Sequence, residues 1–288
     1  MHGRNPTAQA LQLKNNWFLI DCGEGTQMRM LQFHVKAFRI DNIFISHLHG
    51  DHYFGLIGLL TSYHLLKRKA PLTIFAPKPL ANIVEVQLEA SQTFLGYELN
   101  FVDTQSDHVR RIYENESVEV FSFPLNHKIP TTGFLFREKP GEKKLNIQAL
   151  QDIELEKKYY KLLKQGYDVE DKSGHKIKSE DVTLPHKKMR SYAFCSDTLY
   201  DERILEIIKE VDLLYHEATF LHAEHNRAEE TKHSTAKEAA LMAQKANAKK
   251  LLIGHFSSRY VELEPLLEEA KNIFPNTELA IEGEVFSI

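Results

Sequence analysis

The chain has 288 residues, enough for one large domain or two small ones with a full core. It is 42% hydrophobic and 26% charged, and no apolar run nears the ~18 residues of a membrane span, so no membrane is expected as a partner. The formal net charge of −4 leaves only a local basic patch as a route to nucleic acid, and two cysteines cannot build a disulfide framework.

In chain order, the first residues carry no basic-then-apolar leader, and a cytoplasmic location is expected. "NWFLIDCG" and "NIFISH" read as strands ending in polar loops, and "GLIGLLTSYHLLK" as a helix with a buried face. "LTIFAP" is a strand, and "PLANIVEVQLEAS" a helix opened by proline. "SVEVFSFPLNH" alternates and ends on a histidine; "TGFLFRE" is another strand. Residues 138–180 are charged and poor in aliphatics, and read as an insertion projecting from the core. Within them "QDIELEKKYYKLLKQG" has helical spacing and a terminal glycine, which predicts a helical arm rather than a disordered loop.

Regular pattern then resumes. "SYAFCSD" is a strand ending on an aspartate, and "YDERILEIIKEV" a helix capped by Asp201. "DLLYHEATF" is a strand ending at His216 and Glu217, and "STAKEAALMAQKANA" opens with the capping box Thr235 and Glu238. "KLLIGHF" ends on His255, and "EPLLEEAKNIF" is the last long helix. Cys22 and Cys195 each end an apolar run and read as buried free thiols. The pattern is α/β layering with histidines and carboxylates at strand exits, which suits a site at one end of a sandwich.

The densest of these exits is "HLHGDH", with His47, His49, Asp51 and His52 inside six positions. Two histidines spaced by one residue on a loop leaving a strand can face one ion, and Asp51 and His52 then sit close enough to serve a second. His127, Asp197 and His255 complete a set of seven. Imidazole with carboxylate suits zinc, and less exclusively manganese or iron. A structural zinc would favour cysteine, and this set has none. Two metals about 3.5–4 Å apart activate a water and hold phosphoryl oxygens, a hydrolytic device.

"HLHGDH" resembles the H-x-H-x-D-H signature of the metallo-β-lactamase superfamily. The resemblance implies a single domain over 1–288 with the αβ/βα four-layer sandwich, and two zinc ions at one edge. It places His47, His49 and His127 on one zinc and Asp51, His52 and His255 on the other, with Asp197 bridging.

The segments "GRNPTAQAL", "DCGEGTQMRM", "SHLHGDH", "SDT", "HEATF", "HST" and "GHFSSRY", in that order, resemble the ribonuclease Z family across nearly the whole chain. That resemblance implies an endonuclease removing the 3′ trailer of precursor tRNA and leaving a 3′-hydroxyl. It also implies a homodimer in which one subunit's arm serves the other's site. The family usually opens with a strand and a small-residue loop before the "RN" segment, so an upstream strand is expected. Of the family's P-x-K-x-R-N loop only Arg4 and Asn5 remain as candidate RNA contacts, and "KPGEKK" stands where the arm is often rich in glycine and proline.

From the residues alone, Lys143, Lys144, Lys157, Lys158, Lys161 and Lys164, interleaved with Tyr159 and Tyr160, offer phosphate contact and stacking, or else a solvated helix face. By resemblance, Glu217 and His233 either relay a proton to the leaving 3′ oxygen or support a metal ligand from behind. From the residues Asp51 is either a ligand alone or a ligand that also orients the nucleophilic water, and the resemblance implies both roles. Asp21 supports the site, His216 turns away from it, and Arg259 meets a phosphate or pairs with an acid. Two rival readings are a small-molecule hydrolase or phosphodiesterase on the same fold, and a non-catalytic RNA-binding relative.

Overall fold

The computed structural model describes residues 3–186 and 188–288. The chain opens with an antiparallel hairpin, β1 (Gln9–Leu13) and β2 (Asn16–Ile20). Helix α1 (Thr26–Gln32), strand β3 (Ile40–Phe44) and helices α2 (Gly50–Tyr53) and α3 (Leu56–Leu65) follow. Strand β4 (Leu72–Ala76), helix α4 (Pro79–Ala90) and strand β5 (Leu99–Asp103) close this half. Helix α4 starts on proline, whose missing N–H would have no intrahelical partner there.

Strands β6 (Arg110–Glu114), β7 (Val118–Leu125) and β8 (Thr131–Glu138) come next. A run of short elements then holds β9 (Lys144–Leu145), α5 (Tyr160–Lys164), β10 (Val169–Glu170), β11 (Lys176–Ile177), α6 (Ser179–Val182) and β12 (Thr183–Leu184). The last part contains β13 (Ser191–Cys195), β14 (Leu213–Glu217), α7 (His225–Thr231), α8 (Ala236–Lys245), β15 (Leu251–Gly254), α9 (Glu264–Lys271) and β16 (Thr277–Leu279). Helix α8 carries the expected capping box between Thr235 and Glu238.

Two sheets result. One has the order β1-β2-β3-β4-β5, parallel beyond the hairpin; the other runs β16-β15-β14-β13-β8-β7-β6, with β13 to β16 mutually parallel. Strand alternation sorts the side chains into layers. Phe18, Phe44 and Phe75 from the first sheet meet Phe134, Phe136, Phe194 and Tyr215 from the second in one cluster. The opposite faces pack outward: Ile43 and Ile74 against Leu59 and Leu60 of α3, and Leu214 and Ile253 against Ala239 and Ala240 of α8 and Leu266 of α9. This is the metallo-β-lactamase αβ/βα four-layer sandwich. Phe44 stacks on Phe75 at 4.5 Å and meets Phe134 and Phe136 edge-on, which anchors the strand that feeds His47. Truncating such a ring to alanine costs about 3–5 kcal/mol.

A second compact unit comprises Asn115–Ser117 and Glu138–Met189, and the segment 138–180 lies within it. It has its own small core, with Leu150, Leu163, Val169, Ile177 and Val182 buried together. Strand β9 pairs with β12, and β10 with β11. The long helix expected over 151–166 is replaced by a 3₁₀ turn at Lys157–Tyr159 and the short α5. The cause is visible at 152–156, "DIELE", where Ile153 and Leu155 pack on that small core and Glu154 and Glu156 are exposed. That is a period of two, which an extended chain satisfies and a helix does not. The helix expected over 200–211 also shortens, to a 3₁₀ turn at Glu202–Ile204 capped by Asp201. Glu210 there adopts φ 55° and gives its N–H to the Ala246 carbonyl, ending any helical ladder. No helix among the described residues is long and apolar enough to cross a membrane.

Candidate metal centre

The carboxyl ends of β3, β7, β13, β14 and β15 deliver the polar cluster. Asp51 and His52 sit on α2, whose N-cap is His49. Their loop packs tightly against the "DCGEG" turn: a Cβ on Gly23 would fall 2.4 Å from the Asp51 carbonyl oxygen, so only glycine fits. On β15, a Cβ on Gly254 would fall 2.6 Å from the Tyr215 ring, and the next residue, His255, holds φ 60°.

The side chains form two groups of four donor atoms. In the first, His49 Nδ1 lies 3.0 Å from His47 Nε2 and 3.3 Å from His127 Nε2. Asp197 Oδ2 lies 3.6 Å from His47 Nε2 and 3.7 Å from His127 Nε2. In the second, Asp197 Oδ1 lies 3.4 Å from both His52 Nε2 and His255 Nε2. Asp51 Oδ2 is 3.7 Å and 3.6 Å from the same two nitrogens. Four ligands bound tetrahedrally at 2.0–2.1 Å stand about 3.3–3.4 Å apart. The separations, 3.0–3.7 Å, scatter about that spacing, and one oxygen of Asp197 faces each group.

The electrostatics call for cations. Burial tends to raise the Asp197 carboxyl, but the His255 and His52 charges outweigh it and hold the carboxyl well below its usual range. Asp51 is pulled down to about 2, chiefly by the His255 imidazole 3.6 Å away. Burial opposes charge on His255, yet Asp197 and then Asp51 lift it to about 9. Across the cluster His47 is pushed down to about 2, by burial first and the His52 charge second. Among the described residues the buried His52 Nε2 has no hydrogen-bond partner. Convergent lone pairs, the buried Asp197 carboxylate and an orphaned nitrogen fit metal ions at both positions.

Behind the donors stand groups that hold their outer edges. Asp21, fully buried at φ 56°, accepts from Ser46 N at 2.8 Å, Ser46 Oγ at 3.0 Å and His52 Nδ1 at 2.7 Å. Ser46 Oγ is also 3.0 Å from His47 Nδ1. The Lys232 carbonyl accepts from His127 Nδ1 at 2.7 Å, from a left-handed residue at the end of α7. Glu217, fully buried, accepts at Oε1 from Thr198 N at 3.0 Å and His233 Nδ1 at 2.8 Å. Its Oε2 accepts from Thr219 N at 3.0 Å and Thr219 Oγ1 at 2.7 Å. Thr219 Oγ1 in turn lies 2.9 Å from His255 Nδ1. His216 is buried on the helix-facing side of β14 and takes no part in the cluster.

The structure thus brings together the seven expected donors, with Glu217 and His233 beside them. It does not bring the other candidates there as free groups. Arg4 Nη2 donates to the carbonyls of Ser257 at 3.1 Å and Tyr260 at 2.8 Å, bracing the turn after His255. Asn5 donates to Glu282 at 2.9 Å, and Arg259 pairs with Glu224 at 2.9 Å. In the second unit Lys157, Lys158 and Lys161 are exposed and Lys164 half-buried. Lys158 pairs with Glu156 at 2.9 Å, while Lys143, Lys144 and Lys164 line a surface cleft. Ser46, Thr219 and Lys232 were not singled out from the sequence; the only signal was their place beside "HLHGDH", "HEAT" and "HST".

The layered fold and this donor set define a metal-dependent hydrolase of the metallo-β-lactamase class. A metallo-β-lactamase-fold protein, YhfI from Bacillus subtilis, shares the fold with TM-score 0.67 at 17% identity, over 99% of this chain and 92% of that one. Ribonuclease Z of Cytophaga hutchinsonii is 45% identical over 99% of this chain and 91% of its own length. The short form of human tRNase Z superposes with TM-score 0.70 at 27% identity, covering 99% of this chain and 93% of that one. The chain belongs to the ribonuclease Z family. A family profile described as Anti-Pycsar protein Apyc1 also matches residues 5–169, a stretch that includes His47 to His127 but ends before Asp197 and His255.

Proposed function

We infer that the chain is a zinc-dependent endoribonuclease that removes the 3′ trailer of precursor tRNA. The observation that carries the reading is the four-donor group His47, His49, His127 and Asp197 beside the three-donor group Asp51, His52 and His255, with Asp197 Oδ1 3.4 Å from both of the latter histidines and the Glu217–His233 pair alongside. His47, His49, His127 and Asp197 would hold one zinc, and Asp51, His52, His255 and Asp197 the other; manganese would suit the same donors. The ions, when bound, activate a water and neutralise phosphoryl oxygens.

The chain's own residues do the rest. Asp51 is half-exposed, so its carboxylate can face the attacking water and take its proton. The water oxygen bonds to phosphorus and the bond from phosphorus to the 3′ oxygen breaks, so that oxygen must gain a proton. His233 is 15% exposed at its side chain, and among the described residues only its Nδ1 makes hydrogen bonds. Nε2 is therefore free to deliver that proton, with Glu217 orienting the ring. The products are a tRNA 3′-hydroxyl and a trailer with a 5′-phosphate.

Arm lysines would meet the tRNA backbone, in a homodimer working in the cytoplasm; family membership supports this part. Incubating precursor tRNA with the protein and zinc, then mapping 3′ ends, tests the reading. Cleavage after the acceptor stem with a 3′-hydroxyl is expected. Hydrolysis of bis(p-nitrophenyl) phosphate without any cleavage of precursor tRNA would instead favour a small-phosphodiester hydrolase.

A further inference from the structure

Two carboxylates outside the donor groups share one construction. Asp21 takes His52 Nδ1 directly at 2.7 Å, and reaches His47 Nδ1 only through the Ser46 hydroxyl, 3.0 Å from each. Glu217 takes His233 Nδ1 directly at 2.8 Å, and reaches His255 Nδ1 only through the Thr219 hydroxyl, at 2.7 Å and 2.9 Å. All four bridging or anchoring groups are buried: Asp21, Ser46 and Glu217 at 0% and Thr219 at 6% exposure.

A hydroxyl has one proton to give and two lone pairs to accept with. The stronger acceptor beside each is the charged carboxylate, so each hydroxyl gives its proton there. Thr219 Oγ1 also meets the His255 carbonyl at 3.0 Å, which leads to the same result, and His233 Nδ1 at 3.3 Å, whose proton goes to Glu217. Ser46 Oγ also lies 3.2 Å from the neutral Ser196 hydroxyl, a weaker acceptor than the Asp21 carboxylate at 3.0 Å. Each hydroxyl can then only accept from its histidine. That puts the ring proton on Nδ1 and leaves the Nε2 lone pair facing the donor cluster.

We propose that Ser46 and Thr219 are positioning residues, one for each metal position, that lock His47 and His255 in the ligating tautomer through Asp21 and Glu217. The inference rests on the metal reading of the two donor groups. It also ties the second position to the Glu217–His233 pair, because Thr219 joins both.

The test uses the full chain with Ser46→Ala, Thr219→Val and Thr219→Ser. Zinc alone is titrated against a competing chelator, and ring N–H protons are followed by NMR in the zinc-loaded protein. Wild type should hold two zinc ions. Ser46→Ala and Thr219→Val should each weaken one of them by about 10–100-fold, the usual cost of losing such a partner. Each should also lose one slowly exchanging Nδ1–H signal, from His47 and His255 respectively. Thr219→Ser keeps the hydroxyl and should behave as wild type, which a packing role would not produce. Wild type without zinc would overturn the metal reading and the relay with it. Wild type with two ions and variants equally tight, or Thr219→Ser as weak as Thr219→Val, would overturn the relay alone.

Discussion

Replacing Glu217 by glutamine separates its possible roles, and the structure sets the size of the effect. The carboxylate accepts four hydrogen bonds, two at each oxygen, with no exposure to water. Glutamine offers one oxygen and one NH₂. With NH₂ at the Oε1 place, His233 can change tautomer and accept, but Thr198 N–H loses its partner. With NH₂ at the Oε2 place, the Thr219 hydroxyl can turn to the His255 carbonyl, but Thr219 N–H is orphaned. Either way one buried amide is left unsatisfied, at about 1–3 kcal/mol. In a chain of this size that lowers Tm by roughly 2–10 °C. The proton-delivering ring also loses its charged anchor, so turnover should fall by about 10²–10⁴. Calorimetry, single-turnover cleavage of precursor tRNA and elemental analysis read the three quantities separately. Wild-type turnover with an unchanged Tm would refute the reasoning. Loss of zinc with turnover fully restored by added zinc would show that Glu217 acts through the Thr219–His255 link, and a turnover deficit that persists with two zinc ions bound would show that it acts through His233.

Five further outcomes are expected. Chelation should abolish activity and Zn²⁺ should restore it, with close to two ions per chain by elemental analysis. Gly254→Ala should cost about 1–3 kcal/mol by denaturant melting, because its Cβ would fall 2.6 Å from the buried Tyr215 ring. Neither cysteine should react with a thiol reagent at neutral pH until denaturant is added: both are buried, and burial pushes the Cys22 thiol up to about 12 despite its hydrogen bond with Thr26. Replacing Lys157, Lys158, Lys161 and Lys164 by alanine should flatten the salt dependence of precursor-tRNA binding by about 0.7–0.9 in log–log slope per lost phosphate contact. Arg4→Ala should instead lower thermal stability and leave that slope unchanged; the reverse pattern would restore Arg4 to the RNA surface.

The layered fold was legible because its central strands are short apolar runs, buried on both faces and bounded by polar loops, as "NWFLI", "SYAFC" and "LLIG" are. Thr235 with Glu238 likewise marks a helix start that needs no tertiary help. The clustering of the seven candidate donors was legible because the chemistry of metal ligation restricts residue type and because strand exits collect at one edge. Where the reading failed, two periods competed. "DIELEKKYYKLLKQG" satisfies a helical count from 157 onward and a strand count before it, and only the small core around Leu150 and Leu163 decides between them.

Arg4, Asn5 and Arg259 show a different limit. Sequence offers Arg4 and Asn5 as RNA contacts and Arg259 as either a phosphate contact or an acid's partner, and in the fold each has a partner far along the chain: Ser257 and Tyr260, Glu282, and Glu224. A residue type advertises what it can bind and says nothing of whether the fold has already claimed it. The same blindness hid Ser46 and Thr219, whose importance lies in having one proton between a carboxylate and an imidazole that are 25 and 36 residues away in one member of each trio. Metal donors are recognisable in sequence because an ion tolerates few atom types. The groups that orient those donors need only a hydroxyl or a carbonyl, which nearly every segment contains, so geometry alone can pick them out.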